Sequence, residues 1–300
     1  MTDVTTTATL HVAATKADIP NVLNDSIISI GKQAIQERGA FTIALSGGSL
    51  PSFLAELPTA LSGNYKDVDP TDFFSKWHVI LADERCVPLT DDESNMKSLN
   101  ENLFDKLPST MKVPTNQIHP INAAMLNDDD ATTSTSNIAV DYESNVVKSV
   151  LDLSGGLLDV AVLGFGPDGH TCSLFPNHGL LNEMTKLVAP ITDSPKPPPN
   201  RITLTFPVLN TMTRHVVFCG AGSSKQPIVD AVFDWKTTGG GKSDEKKTPD
   251  STCVVIPLTN PPPFPCGMVR PNPTTGVESS SNPILTWVID ADALPATAKL

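Results

Sequence analysis

No stretch of this 300-residue chain approaches the ~18–20 consecutive apolar residues that cross a bilayer. The Thr-rich opening from Met1 to Leu10 also lacks the basic start and apolar segment of a secretory signal. Neither a membrane protein nor a secreted one is therefore expected. Positive charge is scarce as well: 21 Lys and Arg stand against 33 Asp and Glu, a net charge of -12. Such a surface repels polyanions, so nucleic acid is not an expected partner. An anionic ligand would have to be met by a few basic side chains converging locally. Cysteine offers little: Cys86, Cys172, Cys219, Cys253 and Cys266 are odd in number, scattered, and contain no Cys-x-x-Cys pair. That excludes a disulfide framework and a structural zinc site of recognisable spacing, and implies a reducing compartment.

What remains is a globular composition, 39% hydrophobic and 18% charged, with mean hydropathy of -0.06. Leu23, Ile27, Ile30 and Ala34 recur at helical spacing, and Gly39 closes that helix before a β-rich run over residues 41–45. Further short apolar runs occupy residues 77–82, 157–163, 202–206, 215–219 and 284–289. Between them, Met96, Leu99 and Leu103, then Ala139, Tyr142, Val146 and Val150, again fall at helical spacing. Alternating strand and helix predicts a three-layer α/β/α fold, a Rossmann-like, mostly parallel sheet covered on both faces. Residues 127–137, 193–200, 237–250 and 260–283, rich in Asp, Ser, Pro or Gly, are expected as loops. No composition shift marks a domain boundary, so one domain over residues 1–300 is expected, with insertions near 237–250 and 260–283.

Four segments can carry chemistry. Ser46-Gly47-Gly48-Ser49 follows a strand and opens a helix; its glycines admit a ligand to the backbone and its hydroxyls and free N–H groups suit an anion. No Gly-Lys-Ser/Thr follows, so it is not a Walker loop, and a plain strand-to-helix turn is the bland alternative. Asp83-Glu84-Arg85 falls at a strand's carboxyl end, where ligands sit in open parallel sheets. By itself such a triplet is more often a solvated, salt-bridged turn. Gly164 to His170 literally contains G-x-G-x-x-G, but Pro176 and Gly179 leave no room for the crossover helix of a dinucleotide site. Its distinctive part is Asp168-Gly169-His170, a carboxylate placed to orient an imidazole that can accept a proton near neutrality. A zinc site from His170, Cys172 and His178 lacks a fourth ligand at recognisable spacing. Finally, Arg201 and Lys225 place a planar fork and a point charge at two further strand ends.

In this order the segments resemble the glucosamine-6-phosphate isomerase/6-phosphogluconolactonase family, over residues 19–294. The resemblance is carried by Ser46 to Pro51, Asp83-Glu84-Arg85 with Ser94-Asn95, Gly164 to Pro176 (GFGPDGHTCSLFP), Pro195-Lys196-Pro197-Pro198 with Arg201-Ile202-Thr203, and Gly222 with Lys225. Residues 86 and 172, both Cys here, depart from the family's usual small or variable residues. The resemblance implies an α/β/α fold, hydrolysis of 6-phospho-D-glucono-1,5-lactone, and no cofactor. Isomerases of the family place a Glu five positions after the loop His and a Tyr after Asp-Glu; here Phe175 and Arg85 stand there. An apolar ring cannot shuttle protons, whereas a cation suits an anionic acyl-transfer transition state, so the lactonase branch is expected. The implied catalytic residues are His170, Asp168 and Arg85. The implied substrate-binding residues are Ser46, Gly47, Gly48, Ser49, Asp83, Arg201 and Lys225. No metal, nucleic-acid or membrane partner is expected, and the chain is expected to be monomeric. A non-catalytic sugar-phosphate sensor on the same fold is the rival reading, and intact Asp168, His170 and Arg85 speak against it. The closing Ala298-Lys299-Leu300 is close to a peroxisomal address, so a cytoplasmic protein with a peroxisomal fraction is expected.

Overall fold

The computed structural model describes residues 7–236, 251–272 and 284–298. Its strands, in chain order, are β1 (Thr7–Ala13), β2 (Phe41–Leu45), β3 (Trp77–Leu81), β4 (Asp83–Arg85), β5 (Ile118–His119), β6 (Leu158–Gly164), β7 (Val188–Ile191), β8 (Arg201–Leu204), β9 (Thr213–Gly220), β10 (Ser251–Pro257) and β11 (Leu285–Asp290). Eight of them form one sheet in the order β10-β1-β11-β9-β6-β2-β3-β5. Neighbours run parallel except β1 with β10. Helices cover both faces, giving the expected mostly parallel α/β architecture. β2 and β9 are buried along their whole length, which is why their apolar residues cluster in runs such as Ile43-Ala44-Leu45 and Val216-Val217-Phe218 rather than alternating. The helix Ile19–Arg38 ends at Gly39, whose φ of 75° is the left-handed cap that glycine adopts without strain. Its buried face, Leu23, Ile27, Ile30 and Ala34 included, lies across β2, β6, β9 and β11.

The order of strands places the site. From β2 the chain winds outward through β3 to β5, then returns to lay β6 on the other side of β2 and β9 beyond it. This reversal opens a crevice above the carboxyl ends of β9, β6, β2 and β3, the position at which open α/β sheets bind ligands.

Two expectations are corrected. The run 202–206 does form a strand, but β8 belongs to a separate antiparallel sheet ordered β4-β8-β7, not to the parallel one. Three-residue β4 is too short and too charged to announce itself. Residues 127–137 are not a loop: after a turn at Asp128–Asp130 the helix Ala131–Asp141 begins, with the Asp130 carboxylate accepting the Thr133 N–H at 3.2 Å. Asp and Ser start a helix here by capping its free N–H groups. Residues 193–200 are irregular, as expected. The expected loop 237–250 lies outside the described residues, as do 273–283; residues 260–272 include a helical turn at Pro265–Met268.

Candidate active site

A cavity of about 230 Å³ opens above β9, β6, β2 and β3. Ser46, Gly47, Gly48, Ser49, Asp83, Arg85, His170, Arg201 and Lys225 all line it, so the structure brings together every residue expected at the site except Asp168, which stands behind His170. The wall also includes Asn95, Phe165, Gly166, Cys172 and Cys219.

The loop after β2 approaches its neighbours so closely that Gly47 has no room for a side chain. A Cβ there would lie 1.8 Å from Asn95 Oδ1. Gly48 follows at φ 68°, the left-handed turn that exposes the backbone of Ser46 to Ser49 to the cavity. The helix Leu50–Phe53 that follows is a single turn, so the loop's own N–H groups, rather than a long helix dipole, carry any affinity for an anion.

After β3, the acidic pair divides its work. Glu84 is fully buried and caps the helix Asn95–Asn102: it accepts Asn95 N–H at 2.8 Å, Met96 N–H at 2.9 Å and Ser94 Oγ–H at 3.1 Å. Burial pushes its carboxyl up to about 6 in spite of those bonds. Glu84 is thus an anchor. Asp83 faces the cavity, its Oδ2 accepting Ser173 Oγ–H at 2.8 Å while Asn95 Nδ2 donates to its backbone oxygen at 2.8 Å. Arg85 donates to the Glu93 backbone oxygen and lies 3.5 Å from the Glu93 carboxylate.

The loop after β6 holds Asp168 and His170. Gly166 N–H donates to His170 O at 2.8 Å and Gly169 N–H to Gly166 O at 3.0 Å, folding the loop back on itself. This brings His170 Nδ1 to 2.5 Å from Asp168 Oδ1. Lys196 Nζ lies 3.1 Å from Asp168 Oδ2 and 3.1 Å from His170 Nδ1. The shorter contact, to a carboxylate, assigns the proton to Nδ1 and leaves Nε2 as the basic atom. Partial burial opposes charge on Asp168, but the bond and charge of His170, with Lys196, outweigh it and bring the carboxyl down to about 2. Burial lowers the His170 pKa below its ordinary value, opposed by Asp168 and reinforced by Lys196. Phe175 stacks on the imidazole, with centroids 4.9 Å apart and planes at 28°. The group at this site is a neutral, oriented imidazole.

Cations close the cavity. Arg85 and Arg201 are direct partners in the β4–β8 register. Like charges opposite each other destabilise a strand pair. Arg201 is buried at 4% exposure and fixes the Pro-rich loop, donating to Pro198 O at 2.9 Å, Pro197 O at 2.8 Å and Lys196 O at 2.9 Å. Burial, then the neighbouring Arg85, lowers its pKa. Lys225 donates to Phe165 O, sits 5.2 Å over the Phe165 ring, and is likewise lowered by burial and then by Lys196. Gly222, which starts that turn, is held by Asp290, whose oxygens accept its N–H at 2.9 and 3.1 Å.

Sequence reasoning left Lys196 and Asn95 out of the site. Both stood in quoted motifs, but nothing in the spacing shows that the Pro-Lys-Pro-Pro loop folds across a distant strand end onto Asp168. The His170, Cys172 and His178 zinc set does not assemble: His178 Nε2 meets Asp193 at 3.0 Å and its Nδ1 accepts Leu180 N–H at 3.2 Å. Among the described residues no group of three or more His, Cys, Asp or Glu side chains is placed to hold a metal ion.

A mostly parallel sheet whose switch-point cavity sets Arg85, Arg201 and Lys225 around an oriented imidazole defines an α/β protein with a site suited to a small anionic ligand. The chain belongs to the glucosamine-6-phosphate isomerase/6-phosphogluconolactonase family, whose match covers residues 14–254. It is 40% identical over 231 residues to 6-phosphogluconolactonase 3 of Saccharomyces cerevisiae, covering 76% of this chain and 86% of the relative. It is 37% identical over 223 residues to human 6-phosphogluconolactonase, 74% of this chain and 76% of the relative. In fold it matches the solved 6-phosphogluconolactonase from Trypanosoma brucei, with a TM-score of 0.64, 19% identity, and coverage of 95% and 97% of the two chains. A monomeric glucosamine-6-phosphate deaminase shares the fold at a TM-score of 0.57 and 16% identity, covering 95% and 98%. No described helix is long and apolar enough to cross a membrane.

Proposed function

We infer that the protein hydrolyses 6-phospho-D-glucono-1,5-lactone to 6-phospho-D-gluconate. The relatives at about 40% identity that carry the lactonase name support this substrate. The observation that carries the chemistry is the 2.5 Å contact of Asp168 with His170, whose imidazole lines a cavity in which the charged forms of Arg201 and Lys225 are disfavoured by burial and by a neighbouring cation. A bound phosphate dianion relieves that cost.

His170 Nε2 takes a proton from water as the water oxygen bonds to the lactone carbonyl carbon. The tetrahedral oxyanion so formed is stabilised by Arg85. Collapse breaks the ring C–O bond, and the imidazolium returns its proton to the departing hydroxyl oxygen. Asp168 holds the tautomer throughout. The Ser46 to Ser49 backbone, Arg201 and Lys225 hold the 6-phosphate, and Asp83, an acceptor repelled by phosphate, faces the sugar hydroxyls. Isomerisation fits less well, because Phe175 packs its ring on His170 and offers no proton-carrying group there. A sensor needs the phosphate grip but not the Asp168–His170 pair.

In this reading the chain acts as one monomeric domain, needs no cofactor or metal, and engages neither nucleic acid nor membrane. It works in the cytoplasm, with a peroxisomal fraction directed by the closing tripeptide; Lys299 and Leu300 lie outside the described residues. Deleting Leu300 from a chain with a free C-terminus tests the address: the organelle signal is expected to vanish, and its persistence sinks that part. For the reaction, His170→Asn is expected to lower kcat by about 10²–10⁴ once spontaneous hydrolysis is subtracted. Wild-type turnover in that variant would remove His170 from the base role.

A further inference from the structure

The loop bearing Asp168 and His170 is tied on its outer side to a segment beyond residue 254, where the family match ends. Cys266 N–H donates to Gly169 O at 3.0 Å. The Phe264 ring lies directly against Gly169: a Cβ at residue 169 would sit 2.5 to 2.7 Å from its carbons. Gly169 itself is held at φ 81°, so no side chain of its own can replace this contact without strain. The segment is anchored independently of the loop. Arg270 N–H donates to Asn210 Oδ1 at 2.8 Å, Asn210 Nδ2 to Met268 O at 3.1 Å, Arg270 Nε to Gly267 O at 3.0 Å, and the Arg270 guanidinium also reaches Thr259 O. Cys266, Val269 and Arg270 are buried, whereas Phe264 is only half-buried, its ring laid on the loop.

We propose that residues 260–272 form a strap in which Phe264 and the Cys266 N–H hold the Asp168-Gly169-His170 loop in place, making Phe264 a positioning residue for the His170 base. The proposal rests on the lactonase reading for its kinetic consequence, but not for its structural one. Two forces act on one peptide: the hydrogen bond fixes the height of Gly169 O, and the ring fills the space into which the loop would otherwise relax. The Asp168–His170 contact lies in the same turn and depends on the same backbone. Displacement of a catalytic group by about 1 Å can cost on the order of 10²-fold in rate. The phosphate-holding groups are carried by other elements, Lys225 after β9 and Arg201 on β8, and touch the loop only at Phe165 O and through Lys196, not at Gly169, so the strap is expected to act on kcat more than on KM.

The test compares the full-length wild type with Phe264→Ala and Phe264→Leu. For Phe264→Ala, kcat is expected to fall by about ten- to a hundredfold, with KM within about twofold and the acid limb of the kcat profile moved to higher pH as water reaches the imidazole. Phe264→Leu, which keeps an apolar side chain over Gly169, is expected to recover most of the loss. In the ligand-free protein the Nδ1 proton resonance of His170, observed by NMR, should be present in wild type and Phe264→Leu and broadened in Phe264→Ala. Unchanged kcat and an unchanged Nδ1 resonance in Phe264→Ala overturn the proposal. So does a loss of activity in both variants that tracks a matching loss of Tm, which is the mark of a merely structural side chain. Should the wild type hydrolyse no lactone above the spontaneous rate, the lactonase reading fails, and the resonance alone then decides the strap.

Discussion

An imidazole accepts a proton only while it is neutral, so the surroundings of His170 set the pH range over which the site can work. Burial beneath Phe175 and the nearby Lys196 charge lower its pKa, and Asp168 opposes them without reversing the result. The acid limb of kcat/KM is accordingly expected below pH 6.5, the unperturbed value of about 6.5 for histidine serving as reference. Lys196→Met removes a positive charge 3.1 Å from Nδ1, which makes protonation easier. The limb should therefore move to higher pH in that variant, as read from initial rates between pH 5 and 8. A limb that stays put, or moves down, contradicts the assigned electrostatics. Lys225→Ala is expected to act differently, raising KM for the phosphorylated lactone by about tenfold or more while leaving the pH profile in place.

Elements, not single residues, bring these groups together, and the glycines show how tightly. A Cβ on Gly166 would lie 2.1 Å from His170 Nδ1 and 2.3 Å from Asp168 Oδ1, so Gly166→Ala should separate the pair. The expected outcome is a kcat loss comparable to that of His170→Asn with Tm changed by only a few degrees; full activity would mean that the 2.5 Å contact is dispensable. The elements differ in how far the sequence reveals them. β2, β6 and β9 are announced by short, mostly apolar runs because both of their faces are buried, and Gly39 marks the end of its helix because only a left-handed cap fits there. β4 and β7 are short and pair only with β8, so neither length nor periodicity distinguishes them from turns. Asp130 was legible as a polar residue but not as a cap, since capping depends on which direction the following chain turns. The contact of Lys196 with Asp168 spans two elements and left no local trace.

At the scale of the molecule, an acidic chain with a net charge of -12 concentrates Arg85, Lys196, Arg201 and Lys225 around the crevice. Both sheets gather them: Lys225 follows β9 at the carboxyl rim of the parallel sheet, while Arg85 on β4, Arg201 on β8 and Lys196 on the loop before β8 come from the small antiparallel sheet beside it. Only part of that convergence is legible in the alternation of strand and helix: it implies a parallel sheet with a shared carboxyl edge for the loops after β2, β3, β6 and β9, but not the antiparallel sheet that brings in Arg201 and Lys196. The strap over residues 260–272 was not foreseeable, because a Pro-rich run reads as an ordinary surface connection until its partner across the fold is known.

The central claim is that these cations recognise a phosphate while His170 activates water at the lactone carbonyl of the same molecule. Its most direct test is the ratio of kcat/KM for 6-phospho-D-glucono-1,5-lactone to that for unphosphorylated D-glucono-1,5-lactone, each corrected for spontaneous opening. Loss of two or more charge-assisted contacts at about 1.5–3 kcal/mol each implies a ratio of at least about a hundredfold. Equal turnover of the two lactones, or none of the phosphorylated one above background, would contradict it.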